Sequence, residues 1–264
     1  MTATTAAPSG RRSDLAIRSV TGVALILIAI ACLVYGQDPF WFLLSIATLV
    51  MMAEWASLIR AERWQMWLAF VGLTLPLFLE QPHIDPPAAL SWYVLGLATL
   101  CIAALTRNMG LAAGMLYAGL PVLALFYLHE QYDGIDLSFW TLAVIWATDI
   151  GAYFAGRSIG GPKLAPKWSP NKTWAGLIGG MISATLVGLA LTLVLHIQLR
   201  LVAFSGLLAV SAQLGDLFES MMKRRAGVKD SGWLLPGHGG VMDRLDGAVP
   251  VLCIVALIVA SGIL

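Results

Sequence analysis

Residues 174–196 read WAGLIGGMISATLVGLALTLVLH, an apolar run without a single Asp, Glu, Lys or Arg. About 20 such residues cross the hydrocarbon of a bilayer as a helix. Backbone buried in lipid must satisfy its own hydrogen bonds, so this run is a helix and not an isolated strand. Working outward, further apolar runs occupy 200–219 and 247–264 on the C-terminal side, and 137–156, 109–128, 88–105, 64–79, 39–59 and 19–35 on the N-terminal side. The residue-by-residue alternation of a membrane barrel is absent. The expected fold class is all-α, a polytopic integral membrane protein with about nine transmembrane helices.

Composition supports this. Of 264 residues, 59% are hydrophobic and 12% charged, against about 45–50% and about 25% in ordinary globular chains. A soluble domain could neither hide that much apolar surface nor stay dissolved on so few charges. Disordered, collagen-like and disulfide-scaffold classes are excluded. Cys32, Cys101 and Cys253 sit in apolar stretches without CxxC spacing and read as apolar filler. Arg11, Arg12 and Arg18 before an apolar run imitate a signal peptide, but no small-residue cleavage site follows cleanly, so this reads as an uncleaved first span.

The net charge of +1 becomes informative once resolved along the chain. With nine spans, every Lys and Arg except Arg200 falls on one side, which the positive-inside rule makes cytoplasmic. Dropping the run at 64–79, the shortest and the one containing Pro76, would destroy that segregation. The chain is therefore expected in the inner membrane of a bacterium, with its N-terminus cytoplasmic and its C-terminus periplasmic. Residues 1–18 form a cytoplasmic tail, 19–128 hold about five spans, and 137–264 form a catalytic membrane domain. Its two long cytoplasmic loops, 157–173 and 220–246, are dense in Lys, Gly and Pro. Function accumulates in such loops, because a connection without a task can be a few residues long.

The richest stretch is Ser220–Asp246, SMMKRRAGVKDSGWLLPGHGGVMDRLD. Just upstream, Asp216 lies near the cytoplasmic end of the eighth span, where a carboxylate is a functional-site hypothesis by default. At helical spacing Asp216, Ser220 and Lys223 share a face, as do Asp243 and Asp246 at the entrance to the last span. Clustered carboxylates with few nitrogen or sulfur competitors suit a hard cation, Mg²⁺ above all. Gly237, Gly239 and Gly240 let backbone amides approach a ligand closely, and Lys223, Arg224, Lys229 and Arg244 neutralise phosphate charge. Together these groups describe phosphoryl or nucleotidyl transfer. A plain positive-inside loop would explain the cations, but not carboxylates entering the membrane beside a HisGlyGly turn.

Ser220, Met222, Lys223, Arg224, Lys229, Asp230, Gly232, Leu235, Pro236, His238, Gly239, Gly240, Val241, Asp243, Arg244, Leu245 and Asp246 resemble, position for position, the signature of the phosphatidate cytidylyltransferase (CDP-diglyceride synthase) family. DIGAYFAGR at Asp149–Arg157 and SPNKT at Ser169–Thr173, before Gly179 and Gly180, are similar to two further blocks of that family. The likeness is firm over about 145–250 and extends to the N-terminal half in hydropathy only. One departure is Ala175, where the family commonly carries a glutamate; Ala175 cannot be a ligand.

The resemblance implies an enzyme that joins CTP and phosphatidic acid into CDP-diacylglycerol and pyrophosphate, in phospholipid biosynthesis. It also implies a homodimer with a paired metal site open to the cytoplasm, with no nucleic-acid partner. The family's metal-binding aspartates carry over onto Asp216 and Asp243, with Asp246 beside them. Catalytic roles are expected for Asp216, Asp243, Lys223 and Asp246. Substrate contacts are expected from Ser169, Lys172, Ser220, Arg224, Lys229, His238, Gly239, Gly240 and Arg244. His238 reads either as a loop organiser and phosphate donor or as a proton-transfer group. Ser169 and Lys172 read as phosphate contacts or as helix capping before Trp174. Asp149 reads as half of a structural pair or as part of the site, and Glu54 as a partner of Arg60 or Arg63. Trp168, Trp174 and Trp233 around both loops point to a lateral lipid entrance. The two loops are expected to form one pocket, with Lys172 within about 15 Å of Asp216. The competing class is a transporter or channel, which would spread its charges to mid-depth over several helices; another CTP-using lipid enzyme, such as a polyprenol kinase, is the nearer rival.

Overall fold

The computed structural model describes residues 10–84, 87, 89–232 and 239–263, with side chains from Gly22 onward. The described elements are α1 (Gly10–Tyr35), α2 (Gln37–Leu58), α3 (Arg63–Leu79), α4 (Leu90–Thr106), α5 (Met109–His129), α6 (Gly134–Ser158), β1 (Lys163–Ala165), β2 (Ser169–Thr173), α7 (Trp174–Leu195), a 3₁₀ turn at Leu199–Leu201, α8 (Val202–Ala226), α9 (Met242–Leu245) and α10 (Ala248–Ala260). Each apolar run read from the sequence coincides with a helix, because helix formation inside lipid is dictated by run length and not by partners. Among the described residues, five helical segments are long and apolar enough to cross a membrane: Gln37–Leu58, Met109–His129, Gly134–Ser158, Trp174–Leu195 and Leu199–Ala226. Gly22–Tyr35, Leu90–Thr106 and Ala248–Ala260 are apolar but shorter.

The fold is nearly all-α, as expected, and structure extends further into the loops than the apolar runs alone imply. Loop 157–173 contains an antiparallel hairpin in which Lys163 pairs with Thr173 and Ala165 with Ser169. Helix α8 continues to Ala226, through the first part of loop 220–246. Its last turn carries Lys223, Arg224 and Arg225, cations that favour the negative end of the helix dipole, and it stops at Gly227, whose φ of 79° suits the left-handed C-cap. Helix α1 starts at Gly10, well before the expected position 19.

Helices α6 and α7 meet along glycines. A methyl on Gly176 would stand 2.9 Å from the Ala152 carbonyl, and one on Gly180 would stand 3.0 Å from the Thr148 carbonyl. Gly179 and Gly151 likewise face Ala155 and Ser183 without room for a side chain. Small residues let two backbones approach when the solvent is lipid and no hydrophobic force drives helices together. Trp140 locks the far end by donating its indole N–H to the Gly188 carbonyl at 2.9 Å. This contact brings the end of α6, with Asp149, beside the hairpin and the start of α7. Helix α10 packs against α5 and α8, and Trp55 of α2 donates to the Gly110 carbonyl of α5 at 2.8 Å. The two halves of the chain thus close around one face.

Candidate active site

The C-terminal ends of α2, α6 and α8, the N-terminus of α7 and residues 227–232 and 239–247 meet at this face. Thr173 caps α7, its hydroxyl accepting from the Gly176 N–H at 3.0 Å, which fixes the direction in which the preceding Lys172 leaves the hairpin. The Lys172 ammonium lies 2.5 Å from Asp216 Oδ2 on α8, and the Ser220 hydroxyl donates to Asp216 Oδ1 at 3.2 Å. The expected proximity of Lys172 to Asp216 is realised, as a direct ion pair between the hairpin and α8. Asp149 lies within electrostatic reach of Asp216, Lys172 and Arg244; both readings of this residue converge, since its basic neighbours belong to the site.

Asp246 sits where α8 presses against it: a methyl on Gly215 would collide with the Asp246 carbonyl and with Pro250. Its carboxylate accepts the Gly247 N–H at 2.7 Å. Burial, followed by the neighbouring charges of Asp216 and Asp149, pushes the Asp246 carboxyl up to about 7.

Asp243 is held differently. Burial would raise it, but the hydrogen bond from Lys223, with those from the Gly240 and Ser231 backbone, outweighs burial and holds it at about 2. Its Oδ1 meets the Lys223 ammonium, and its Oδ2 accepts from Ser231 N at 2.9 Å, the Ser231 hydroxyl at 2.9 Å and Gly240 N at 2.8 Å. Gly239 at φ 79° adopts the left-handed backbone, and a methyl there would stand 2.6 Å from Asp243 Oδ2.

One acidic residue, Glu219, escaped the sequence reading, and another, Glu54, has partners other than those expected. Glu219, buried on α8, pairs with Lys223 one turn on at 3.1 Å; the i, i+4 spacing from Lys223 was its available signal. Glu54 does not pair with Arg60 or Arg63. Its Oε2 accepts from Met242 N at 2.8 Å and from the Ser231 hydroxyl at 3.0 Å, and its Oε1 accepts from Val241 N at 2.9 Å. Nothing local in α2 signals a partner almost two hundred residues away. Trp55 of α2, Tyr117 of α5 and Phe218 of α8 form an aromatic cluster, with ring centroids 4.8 Å and 5.7 Å apart for the Trp55–Tyr117 and Tyr117–Phe218 pairs.

Among the other expected contacts, Arg224, Lys229 and Arg244 are exposed and Ser169 is half-buried. Arg224 reaches the Val228 carbonyl at 3.5 Å, and Lys229 is exposed on the following turn. Ser169 opens β2, paired with Ala165. Arg244 is exposed on α9. Ala175 lines an apolar groove between α6 and α7 with Phe154, Ile178 and Ile182. His238, Gly237 and Trp233 lie outside the described residues.

A hard divalent cation fits the donor set. Asp216 and Asp246 are oxygen donors whose mutual repulsion, expressed in the raised Asp246, a cation would relieve. Among the described residues, no three His, Cys, Asp or Glu side chains surround a single point. The expected ligands Asp216, Asp243 and Asp246 are therefore not gathered around one point in this structure.

The sequence profile of the cytidylyltransferase family matches residues 16–261. A phosphatidate cytidylyltransferase of Brucella suis is 38% identical over 264 residues, covering 93% of this chain and 93% of its own. One from Haemophilus influenzae is 32% identical over 280 residues, covering 88% of this chain and 95% of its own. One from Bacillus subtilis is 45% identical over 126 residues, 47% of this chain and 46% of its own. The similarity therefore extends well beyond the signature into the N-terminal helices.

Proposed function

The chain belongs to the cytidylyltransferase family, and from that premise we propose that it joins CTP and phosphatidic acid into CDP-diacylglycerol and pyrophosphate. The observation that carries this reading is the meeting of Lys172, Asp216, Asp149 and Asp246 beside the Lys223–Asp243 pair, at one end of the helix bundle. A phosphatidate oxygen attacks the α-phosphorus of CTP in line, and pyrophosphate leaves. A phosphate monoester is already an anionic nucleophile near neutral pH, so positioning and charge neutralisation do most of the work.

Lys172 at the hairpin end is suited to a phosphate oxygen, with Asp216 holding its ammonium in place. Lys223, set between Glu219 and Asp243, keeps positive charge at the base of the pocket. Asp216, Asp243 and Asp246 are the residues that would hold Mg²⁺. The metal would supply charge neutralisation at the triphosphate and the departing pyrophosphate. Gly239 lets the backbone pass close beside Asp243, and the Gly240 amide is committed to Asp243 Oδ2.

The same reading includes nine spans in a bacterial inner membrane, with the N-terminus cytoplasmic, the C-terminus periplasmic and the pocket facing the cytoplasm; the segregation of all Lys and Arg except Arg200 supports it. The homodimer rests on the resemblance alone. Incorporation of radiolabelled CTP into lipid by the purified protein, with and without phosphatidic acid, tests the reaction. Label that appears equally without phosphatidic acid, or not at all, would count against it.

A further inference from the structure

We propose that Glu54 is a positioning residue, which holds the 240–242 turn from the N-terminal half of the chain and thereby aims Asp243 and Asp246. The proposal rests on the reaction assigned above for its catalytic readout, but not for its structural one.

The geometry is specific. Glu54 is buried at the end of α2, and both of its oxygens are used. They take the consecutive amides of Val241 and Met242, which open α9, the one-turn helix that carries Asp243. The space is closed around the carboxylate: a methyl on Gly232 or on Gly240 would stand 2.5 Å from its oxygens. These two glycines therefore serve Glu54 and are not merely flexible spacers.

Ser231 links the clamp to the site. Its single hydroxyl hydrogen faces two carboxylates, Glu54 Oε2 at 3.0 Å and Asp243 Oδ2 at 2.9 Å. It can donate to only one at a time. When Asp243 turns toward another ligand, the hydroxyl keeps an acceptor in Glu54, so the turn is not left with an unsatisfied buried group. Glutamate suits this task and glutamine does not, because an amide would turn an N–H₂ toward either a backbone N–H or the hydroxyl.

Three variants and one measurement on the unaltered chain test this. In detergent-solubilised wild-type protein, the Val241 and Met242 amides should exchange hydrogen far more slowly than those of the exposed turn residues Lys229 and Asp230. In Glu54→Gln that protection should fall. The variant's kcat for CTP incorporation should drop roughly 10- to 100-fold, the scale of a small misplacement of reacting groups, with KM for CTP within about threefold of wild type. Glu54→Asp, which keeps charge and two acceptors, should recover part of the lost kcat, whereas Glu54→Ala should recover none. Wild-type exchange at Val241 and Met242 as fast as at Lys229, or a Glu54→Gln enzyme with wild-type kcat, would overturn the proposal. A protein that transfers no CTP at all but shows the exchange pattern would count against the reaction and not against the clamp. Should the variants fail to fold, the wild-type exchange rates decide.

Discussion

The Lys172 ammonium lies 2.5 Å from the Asp216 carboxylate, and this ion pair joins a hairpin to a helix that is distant in sequence. It is only partly exposed, at 14% and 32% of the two side chains, so solvent screens it incompletely. Removing one partner therefore changes the other's setting as well as its own contact with substrate.

Lys172→Ala should mainly raise KM for CTP or phosphatidate, on the order of 10-fold, because a lysine touching phosphate in ground and transition states alike gives uniform binding. Asp216→Ala should mainly lower kcat. Because the two side chains touch, the double variant should lose less than the product of the single effects. Steady-state kinetics on all three variants checks this; multiplicative losses would mean that the pair is not coupled.

Asp243→Asn should reduce activity by at least about 100-fold. An amide cannot accept from Lys223, Ser231 and Gly240 together, nor carry the charge that binds a cation. Asp133→Asn, at the opposite end of α6 and making no side-chain capping bond, should change little. Full restoration of the Asp243 variant by raised Mg²⁺ would demote Asp243 from ligand to support of the ligands.

Gly239→Ala should impair catalysis more than stability. The substitution forces a Cβ onto a backbone at φ 79°, a strain of about 1–2 kcal/mol, and pushes against Asp243 Oδ2. Thermal denaturation in detergent should shift by only a few degrees, while kcat falls at least about 10-fold. Wild-type activity in a folded Gly239→Ala protein would remove the close contact from the account of the site.

A reporter placed after Leu264 should be periplasmic, and one inserted between the strands, at Pro166–Lys167, cytoplasmic. Finding both on the same side would refute the nine-span count and the orientation drawn from loop charge.

Run length, charge segregation and the 220–246 signature are local properties, and they were sufficient for the helices and the reaction class. An apolar run of 20 residues has one solution in lipid whatever surrounds it, and so the helix positions at 174–195 or 109–129 could be read directly from the chain. Residues whose roles depend on distant partners were not legible in this way. Glu54 looks like any carboxylate near a helix end until α2 is packed beside the segment carrying Val241 and Met242, and Glu219 looks like a solvated neighbour of Lys223 until α8 turns it inward. The hairpin at 163–173 lay hidden in a stretch rich in Lys and Pro, where strand pairing depends on the α6–α7 contact that brings its ends together. Sequence alone determined which groups were available and that they would sit in a membrane helix bundle; only the tertiary structure decided which of them meet, because hydrogen bonds and ion pairs act over a few ångströms of space regardless of how many residues lie between.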